Sequence, residues 1–120
     1  MRVFVYYNLH KKLWSVKALE GPKKNKVIGH YPTVYLSNAE ARVSLPGRAR
    51  VLRDKCKNVH AGIRGDLEHG WDEALSFVPI NSRDVSYNPY FTDHFYYVDS
   101  KEKYTGSAQA FLNGKKVYTW

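Results

Sequence analysis

The sequence predicts an α+β fold in which a mainly antiparallel, twisted sheet of about seven or eight strands packs against one principal helix. Short runs rich in β-branched and aromatic residues, which favour strands, make up most of the chain, and turn-forming residues separate them. Only the segment after Ser44 repeats its apolar residues at the helical period. The length of 120 residues is that of one ordinary domain, so a single compact domain over 1–120 is expected.

Four strands are predicted before the helix. Arg2–Asn8 and Leu13–Leu19 form an opening hairpin, because the polar residues between them suit a turn. Val27–Tyr31 is the third predicted strand, which the following proline ends. Thr33–Val43 is the fourth, and it leads the chain directly to Ser44.

The helix is predicted to begin at Ser44, whose hydroxyl can accept hydrogen bonds from the first turn, where Pro46 is also well tolerated. An apolar stripe is expected to face the sheet, consisting of Leu45, Ala49, Leu52 and Cys56. From Val59 the period changes to two, which predicts a strand with Ile63 on its apolar face and Arg64 on its polar face. Only Asn58 is expected to join the helix to this strand.

The last third of the chain predicts further strands and turns. Residues 66–75 are expected to end a strand and continue as an acidic loop that could fold back on the basic helix. Val85–Phe91 is an aromatic stretch broken by the turn-forming pair Asn88–Pro89, and His94–Val98 is predicted to be a strand. Asn113–Gly114 predicts a type I′ turn in a final hairpin.

The charge of the chain indicates an anionic partner. Nineteen Lys and Arg against eleven Asp and Glu give a formal net charge of +8 at pH 7. Nucleic acid, nucleotides, phosphorylated ligands or an acidic protein surface are the favoured partners, and the alternative is that the charge serves solubility alone. The single cysteine excludes an internal disulfide, and no signal-peptide core or membrane span is present. A reducing cytoplasm and no membrane partner are therefore expected.

Four segments carry a resemblance to a known family: Asn8–Pro22, Arg50–Arg53, Lys57–Ala61 and Tyr87–Tyr90. In these segments, which cover much of the chain, the sequence resembles a family of small proteins encoded by tailed bacteriophages and prophages. The resemblance implies a phage protein made inside a bacterial cell. It implies no particular activity, cofactor or catalytic residue.

No residue pattern identifies a catalytic site. Histidines and carboxylates that could hold a metal ion are His60, His69, His94, Asp66, Glu68, Asp72 and Glu73, but their spacing is unspecific. Cys56 lies between two lysines and could be a nucleophile, although its predicted place on the apolar stripe favours a packed, inert thiol. Phosphate-binding loop motifs are absent, so no catalytic residue, metal or cofactor is assigned.

Cationic and aromatic residues are the predicted ligand-binding groups. An arginine can hold a phosphate through two hydrogen bonds, and an aromatic ring can stack on a base. The predicted phosphate ligands are Arg48, Arg50, Arg53, Lys57, His60 and Arg64. The predicted stacking residues are Tyr87, Tyr90, Phe91 and Tyr97, provided that the Asn88–Pro89 turn lies near the helix. The alternative is that these rings belong to the core.

Three function classes remain. The first is a non-enzymatic phage accessory protein that binds an anionic nucleotide-type ligand and sequesters a host nucleotide signal, which would be an anti-defence role. The second is a DNA- or RNA-binding module. The third is an inhibitor of a host protein with an acidic surface. Charge favours the first two classes, and the phage setting favours the first.

Overall fold

The fold is that of a computed structural model, which describes residues 1–68 and 78–120. The strands and the helix are, in chain order, β1 Arg2–Asn8, β2 Leu13–Ala18, β3 Val27–Tyr31, β4 Thr33–Val43, α1 Leu45–Asp54, β5 Ala61–Leu67, β6 Arg83–Ser86, β7 Tyr96–Tyr97, β8 Gly106–Asn113 and β9 Lys116–Thr119. None of the helical structure in these two ranges is long and apolar enough to cross a membrane.

All nine strands belong to one antiparallel sheet with the order β3-β2-β1-β5-β4-β8-β9-β6-β7. Pro32 alone connects β3 to β4, although three other strands lie between them in this order. Because neighbouring strands are about 4.8 Å apart, so short a connection requires the sheet to curl. Consistent with this curl, Cα atoms of β2 and β4 approach within 8 Å of each other.

The core lies on one face of the curled sheet and follows from the alternation of side chains along each strand. Val5 of β1 is paired with Val16 of β2 on one side and with Ile63 of β5 on the other. All three side chains are buried. The same apolar cluster extends across the sheet through Val3, Val34, Leu36, Ala110, Leu112, Val117 and Val85. The sheet therefore supplies most of its own core.

The predicted α+β class is wrong, because the structure is dominated by the sheet and its helix has only ten residues. The helix begins as predicted, since the Ser44 hydroxyl accepts a hydrogen bond from the Gly47 N–H at 3.2 Å. It ends at Asp54, where Lys55 takes a left-handed conformation with φ 52°. Only Gly47 and Val51 of the helix are buried. So small an apolar surface cannot cover a nine-stranded sheet.

The predicted facing of the helix is also wrong. Of the predicted stripe, Leu45 and Ala49 are exposed, Leu52 is half-buried, and Cys56 is exposed and lies beyond the end of the helix. The buried position is instead Val51. The cause is tertiary: Arg48 binds a distant turn, and this contact fixes which side of the helix points inward.

Val51→Asp is therefore expected to destabilise the protein by about 2–4 kcal/mol, because it buries a charge without a partner. Leu45→Asp should change the free energy of unfolding by less than about 0.5 kcal/mol, since Leu45 is exposed. Urea denaturation followed by circular dichroism measures both. Equal effects of the two substitutions would show that Val51 does not face the interior.

The connection after the helix is longer than predicted. Residues 55–60 join the helix to β5, and β5 begins at Ala61 rather than at Val59, which is exposed. The connection nevertheless returns to the start of the helix, where the Ser44 N–H donates to the His60 carbonyl at 2.7 Å. This hydrogen bond brings His60 beside the first turn of the helix.

Several C-terminal predictions need correction. The predicted strand His94–Val98 is reduced to the two residues of β7, and the sequence does not predict β6. In the final hairpin the positive φ falls on Gly114 alone, at 59°, so the turn is not type I′, which needs two such residues. β5 ends at Leu67, and the part of the predicted acidic loop from residue 69 onward lies outside the described residues.

Candidate functional site

Arg48 fixes the helix against the aromatic turn. Its Nε–H donates to the carbonyl oxygens of Pro89 at 3.0 Å and Thr92 at 3.1 Å. The Asn88–Pro89 turn therefore lies against the helix, which was the condition for the predicted stacking residues to approach the predicted cations. The Nε–H of Arg48 is used by this contact, so Arg48 has a structural role in holding the turn.

His60 and Tyr87 also lie together. The His60 Nδ1 lies 2.9 Å from the Asn58 carbonyl, which can only accept, so this nitrogen carries the hydrogen. In the neutral ring, Nε2 then accepts from the Tyr87 hydroxyl at 2.7 Å. Burial raises the pKa of Tyr87, and its ring stacks on Phe95 at 5.1 Å. Both ring nitrogens of His60 are engaged in hydrogen bonds within the protein, so His60 lines the site and does not offer a ring nitrogen to a ligand.

The structure separates the other predicted phosphate ligands. Arg50 and Lys57 are exposed, and Arg53 forms a surface ion pair with the neighbouring Asp54 at 3.0 Å. Arg64 projects from β5 and donates to Glu40 at 2.6 Å. Arg48, Arg53 and Arg64 therefore have three different sets of contacts.

The predicted stacking residues are separated as well. Tyr90 and Phe91 are 64% and 58% exposed, and Phe91 lies edge-on to Tyr96 at 5.1 Å. Tyr97 is half-buried beneath the Arg83 guanidinium, 3.8 Å from the ring centre, and contacts Tyr104. Tyr97 thus packs into the sheet, whereas Tyr90 and Phe91 are open to solvent.

A cleft that we call the small cleft, of about 410 Å³, opens beside His60. Its lining consists of Phe4, Lys17, Arg42, Val43, Ser44, Val59 and His60. These residues come from β1, β2, β4 and the two ends of the helical connection, which the curled sheet and the Ser44–His60 hydrogen bond bring together. No acidic residue of the described chain lines the small cleft.

The Phe4 ring lies over the β5 backbone at Gly62. A β-carbon built on Gly62 would lie 2.6 Å from Cζ of Phe4, so only glycine leaves room for the ring. Lys17 is the cross-strand neighbour of Phe4, and Arg42 is the cross-strand neighbour of Gly62. An aromatic surface with a cation on each side is the result.

Positive charge is in excess around Arg42. The Glu40 carboxylate accepts from Arg64 at 2.6 Å and from Arg42 at 2.8 Å, and it lies 3.7 Å from Arg2. The hydrogen bond from Arg64 holds the pKa of Glu40 below its ordinary value. One carboxylate cannot neutralise three guanidinium groups, and even with Asp66, 3.4 Å from Arg2, one positive charge remains.

A second cleft, which we call the large cleft, adjoins the first. It has a volume of about 830 Å³ and is lined by residues 38–43, 45, 93–95 and 103–107. His94 lies 2.9 Å from Asp93, and this hydrogen bond lowers the pKa of the Asp93 carboxyl. Lys103 stands at its margin without an ion-pair partner in the described chain. Arg42 lines both clefts.

Sequence reasoning identified His60 but missed Phe4, Lys17 and Arg42. A signal for them exists in the alternation of the strands. Phe4 stands between the buried Val3 and Val5, which places an aromatic ring on the outward face of β1. Lys17 and Arg42 occupy equivalent outward positions on β2 and β4, but nothing local shows that the three side chains meet.

The described residues contain no group of three or more His, Cys, Asp or Glu side chains that could hold a metal ion. Three of the possible ligands, His69, Asp72 and Glu73, lie outside the described residues. The expectation that Cys56 is packed on the helix is wrong, because the thiol is exposed after the helix has ended.

Comparison with known proteins gives two findings. The family described as Mycobacterium phage L5 gene 82 protein matches the chain over residues 1–120. The gene 82 protein of Mycobacterium phage L5 is 37% identical to it over 126 residues, which cover 98% of the chain and 94% of that relative. No solved structure gives a significant match. The resemblance to a phage family is confirmed.

Proposed function

The chain belongs to the family of the Mycobacterium phage L5 gene 82 protein, and we propose that this phage protein binds an anionic, nucleotide-type ligand without converting it. The observation that carries the proposal is the small cleft, whose lining brings Phe4 together with Lys17 and Arg42 and includes no carboxylate of the described residues. A nucleotide needs both an aromatic surface for its base and cations for its phosphate. Its volume of about 410 Å³ suits one small ligand.

Binding without conversion would make the protein a sink for its ligand. In the cytoplasm of the infected bacterium, a protein that holds a nucleotide lowers the free concentration of that nucleotide. Sequestration of a host nucleotide signal, which would act against host defence, is the role that follows from the proposal. It requires that the binding sites outnumber the signal molecules and that the Kd lies well below the concentration of the sites.

Lys17→Ala and Arg42→Ala are each expected to weaken nucleotide binding about tenfold or more, since a charged hydrogen bond contributes about 1.5–3 kcal/mol. Isothermal titration calorimetry with AMP and GMP measures the effect. Arg42→Lys keeps the charge but loses the planar fork, so it should also bind more weakly than the parent. Lys116→Ala is the matched control, because Lys116 is an exposed β9 lysine outside both clefts.

The same samples decide whether the ligand is converted. After incubation with Mg²⁺, Mn²⁺ or Zn²⁺, chromatography should recover the nucleotide unchanged. Binding of all variants at the affinity of the parent would refute the small cleft as the site. Product that disappears in His60→Ala would replace the binding proposal with a catalytic one.

A second candidate function, binding of single-stranded nucleic acid, is favoured by Tyr90 and Phe91. These rings are 64% and 58% exposed on the turn that Arg48 holds against the basic helix. Exposed aromatic rings beside cations are typical of surfaces on which successive bases stack. Affinity for an oligonucleotide that falls steeply with salt, and falls further in Tyr90→Ala, would support this function over a small-ligand site.

A further inference from the structure

We infer that the ligand consists of two nucleotide units joined through a phosphate, held across both clefts at once; the inference rests on the proposed function. The observation behind it is that Arg42 lines the small cleft and the large cleft together. Val43 also lines both clefts, so the two adjoin at this end of β4, where the Arg42 guanidinium can contact a group that links the occupants of both. The chemistry common to such ligands is a phosphodiester between two nucleosides, in linear or cyclic form.

The size of the clefts supports two units. The small cleft of about 410 Å³ and the large cleft of about 830 Å³ each lie within the range of about 300–1,000 Å³ that is usual for a single ligand site. A mononucleotide placed against Phe4 would leave the large cleft empty. A ligand with a second nucleoside would occupy it.

The large cleft offers suitable contacts for the second unit. Lys103 lines the large cleft and supplies a cation that is unpaired within the described residues. Its two carboxylates are already engaged, Glu40 with Arg64 and Asp93 with His94. Of the two clefts, Lys17 lines only the small one and Lys103 only the large one, so each cleft has a lysine besides the shared Arg42.

The charges match the ligand as well. A bridging phosphodiester carries one negative charge and two free oxygens, which the two-pronged guanidinium of Arg42 can bind. Arg42 donates one hydrogen bond from Nη2 to Glu40, and Glu40 already accepts from Arg64, so the carboxylate does not neutralise Arg42 fully. Lys17 and Lys103 remain for phosphate or base oxygens at the two ends.

Titration calorimetry with three probes tests the inference: AMP, linear pApA and cyclic di-AMP. At least one dinucleotide is expected to bind about tenfold or more tightly than AMP, since it adds a charged contact. Lys103→Ala should remove this advantage and leave AMP binding unchanged, whereas Lys17→Ala should weaken the binding of every probe. Lys103→Arg, which keeps the positive charge, should retain the tighter binding of the dinucleotide, and this result would show that the effect of Lys103→Ala is not a loss of folding. Lys116→Ala should leave all affinities unchanged.

The outcomes separate the inference from the proposed function. In one outcome, Lys17→Ala weakens AMP binding, but both dinucleotides bind with an affinity within twofold of that of AMP, or Lys103→Ala does not change their affinity. The two-unit ligand is then wrong, and the nucleotide site in the small cleft stands. If no probe binds, the proposed function fails and the inference fails with it. The dinucleotide that binds more tightly, pApA or cyclic di-AMP, shows whether the ligand is linear or cyclic.

Discussion

Gly62→Val is expected to lower the free energy of unfolding by about 3 kcal/mol, because the site has no space for a side chain. A β-carbon on Gly62 would lie 2.6 Å from Cζ of Phe4 and would also overlap the carbonyl oxygen of Val5. The ring can rotate away, but the carbonyl belongs to the hydrogen-bonded ladder between β1 and β5. The backbone must therefore shift. Urea denaturation gives the loss of stability as a lower midpoint.

Two comparisons isolate the cause. Ala108→Val places the same side chain on an exposed β8 position and should be nearly silent. Gly62→Ala should be partly rescued by Phe4→Ala, since the double variant removes the contact with the ring and keeps the contact with the carbonyl. Additive effects of Gly62→Ala and Phe4→Ala would show that the ring does not lie on Gly62.

The strands before the helix could be predicted closely because their signals are local. Arg2–Asn8, Val27–Tyr31 and Thr33–Val43 are strands with the predicted bounds. In each of these segments, alternation and a neighbouring turn residue suffice to define the element. The start of the helix is similar, because an N-cap serine satisfies N–H groups within its own turn.

The facing of the helix and the class of the fold depend on distant contacts. Arg48 binds carbonyls of Pro89 and Thr92, more than forty residues along the chain, and this contact outweighs a weak apolar stripe. The curl of the sheet likewise follows from the pairing of β1 with β5, which no local pattern specifies. Local patterns alone therefore predict a helix that covers the sheet, whereas the curled sheet fills its own core.

The site shows the same division. His60 could be identified because it begins the polar face of a strand after a basic helix. Phe4, Lys17 and Arg42 belong to three separate strands, and only the strand order places them around one cleft. An outward-facing aromatic residue flanked by buried valines was the available signal, and it marked Phe4 without marking its neighbours.

Tyr104→Ala is expected to cost about 3–5 kcal/mol, the usual effect of removing a large buried aromatic side chain. Tyr104 is 1% exposed, and its N–H donates to the Phe95 carbonyl at 2.9 Å. Its ring meets Tyr97 edge-on at 5.5 Å. The side chain thus joins β7 to the start of β8, where its hydroxyl contacts Ser107.

Tyr104→Phe separates the ring from the hydroxyl. Ser107 Oγ donates to the Gln109 carbonyl at 2.7 Å, so the Tyr104 hydroxyl, 2.8 Å away, donates to Ser107 Oγ. Burial raises the pKa of Tyr104, which keeps this donor protonated. Ser107 retains its own bond to Gln109 without it, so Tyr104→Phe should cost only about 0.5–1.5 kcal/mol. In thermal and urea denaturation the parent should be the most stable, Tyr104→Phe slightly less stable and Tyr104→Ala the least stable. If Tyr104→Phe is as unstable as Tyr104→Ala, the stabilisation comes from the hydroxyl and not from the ring.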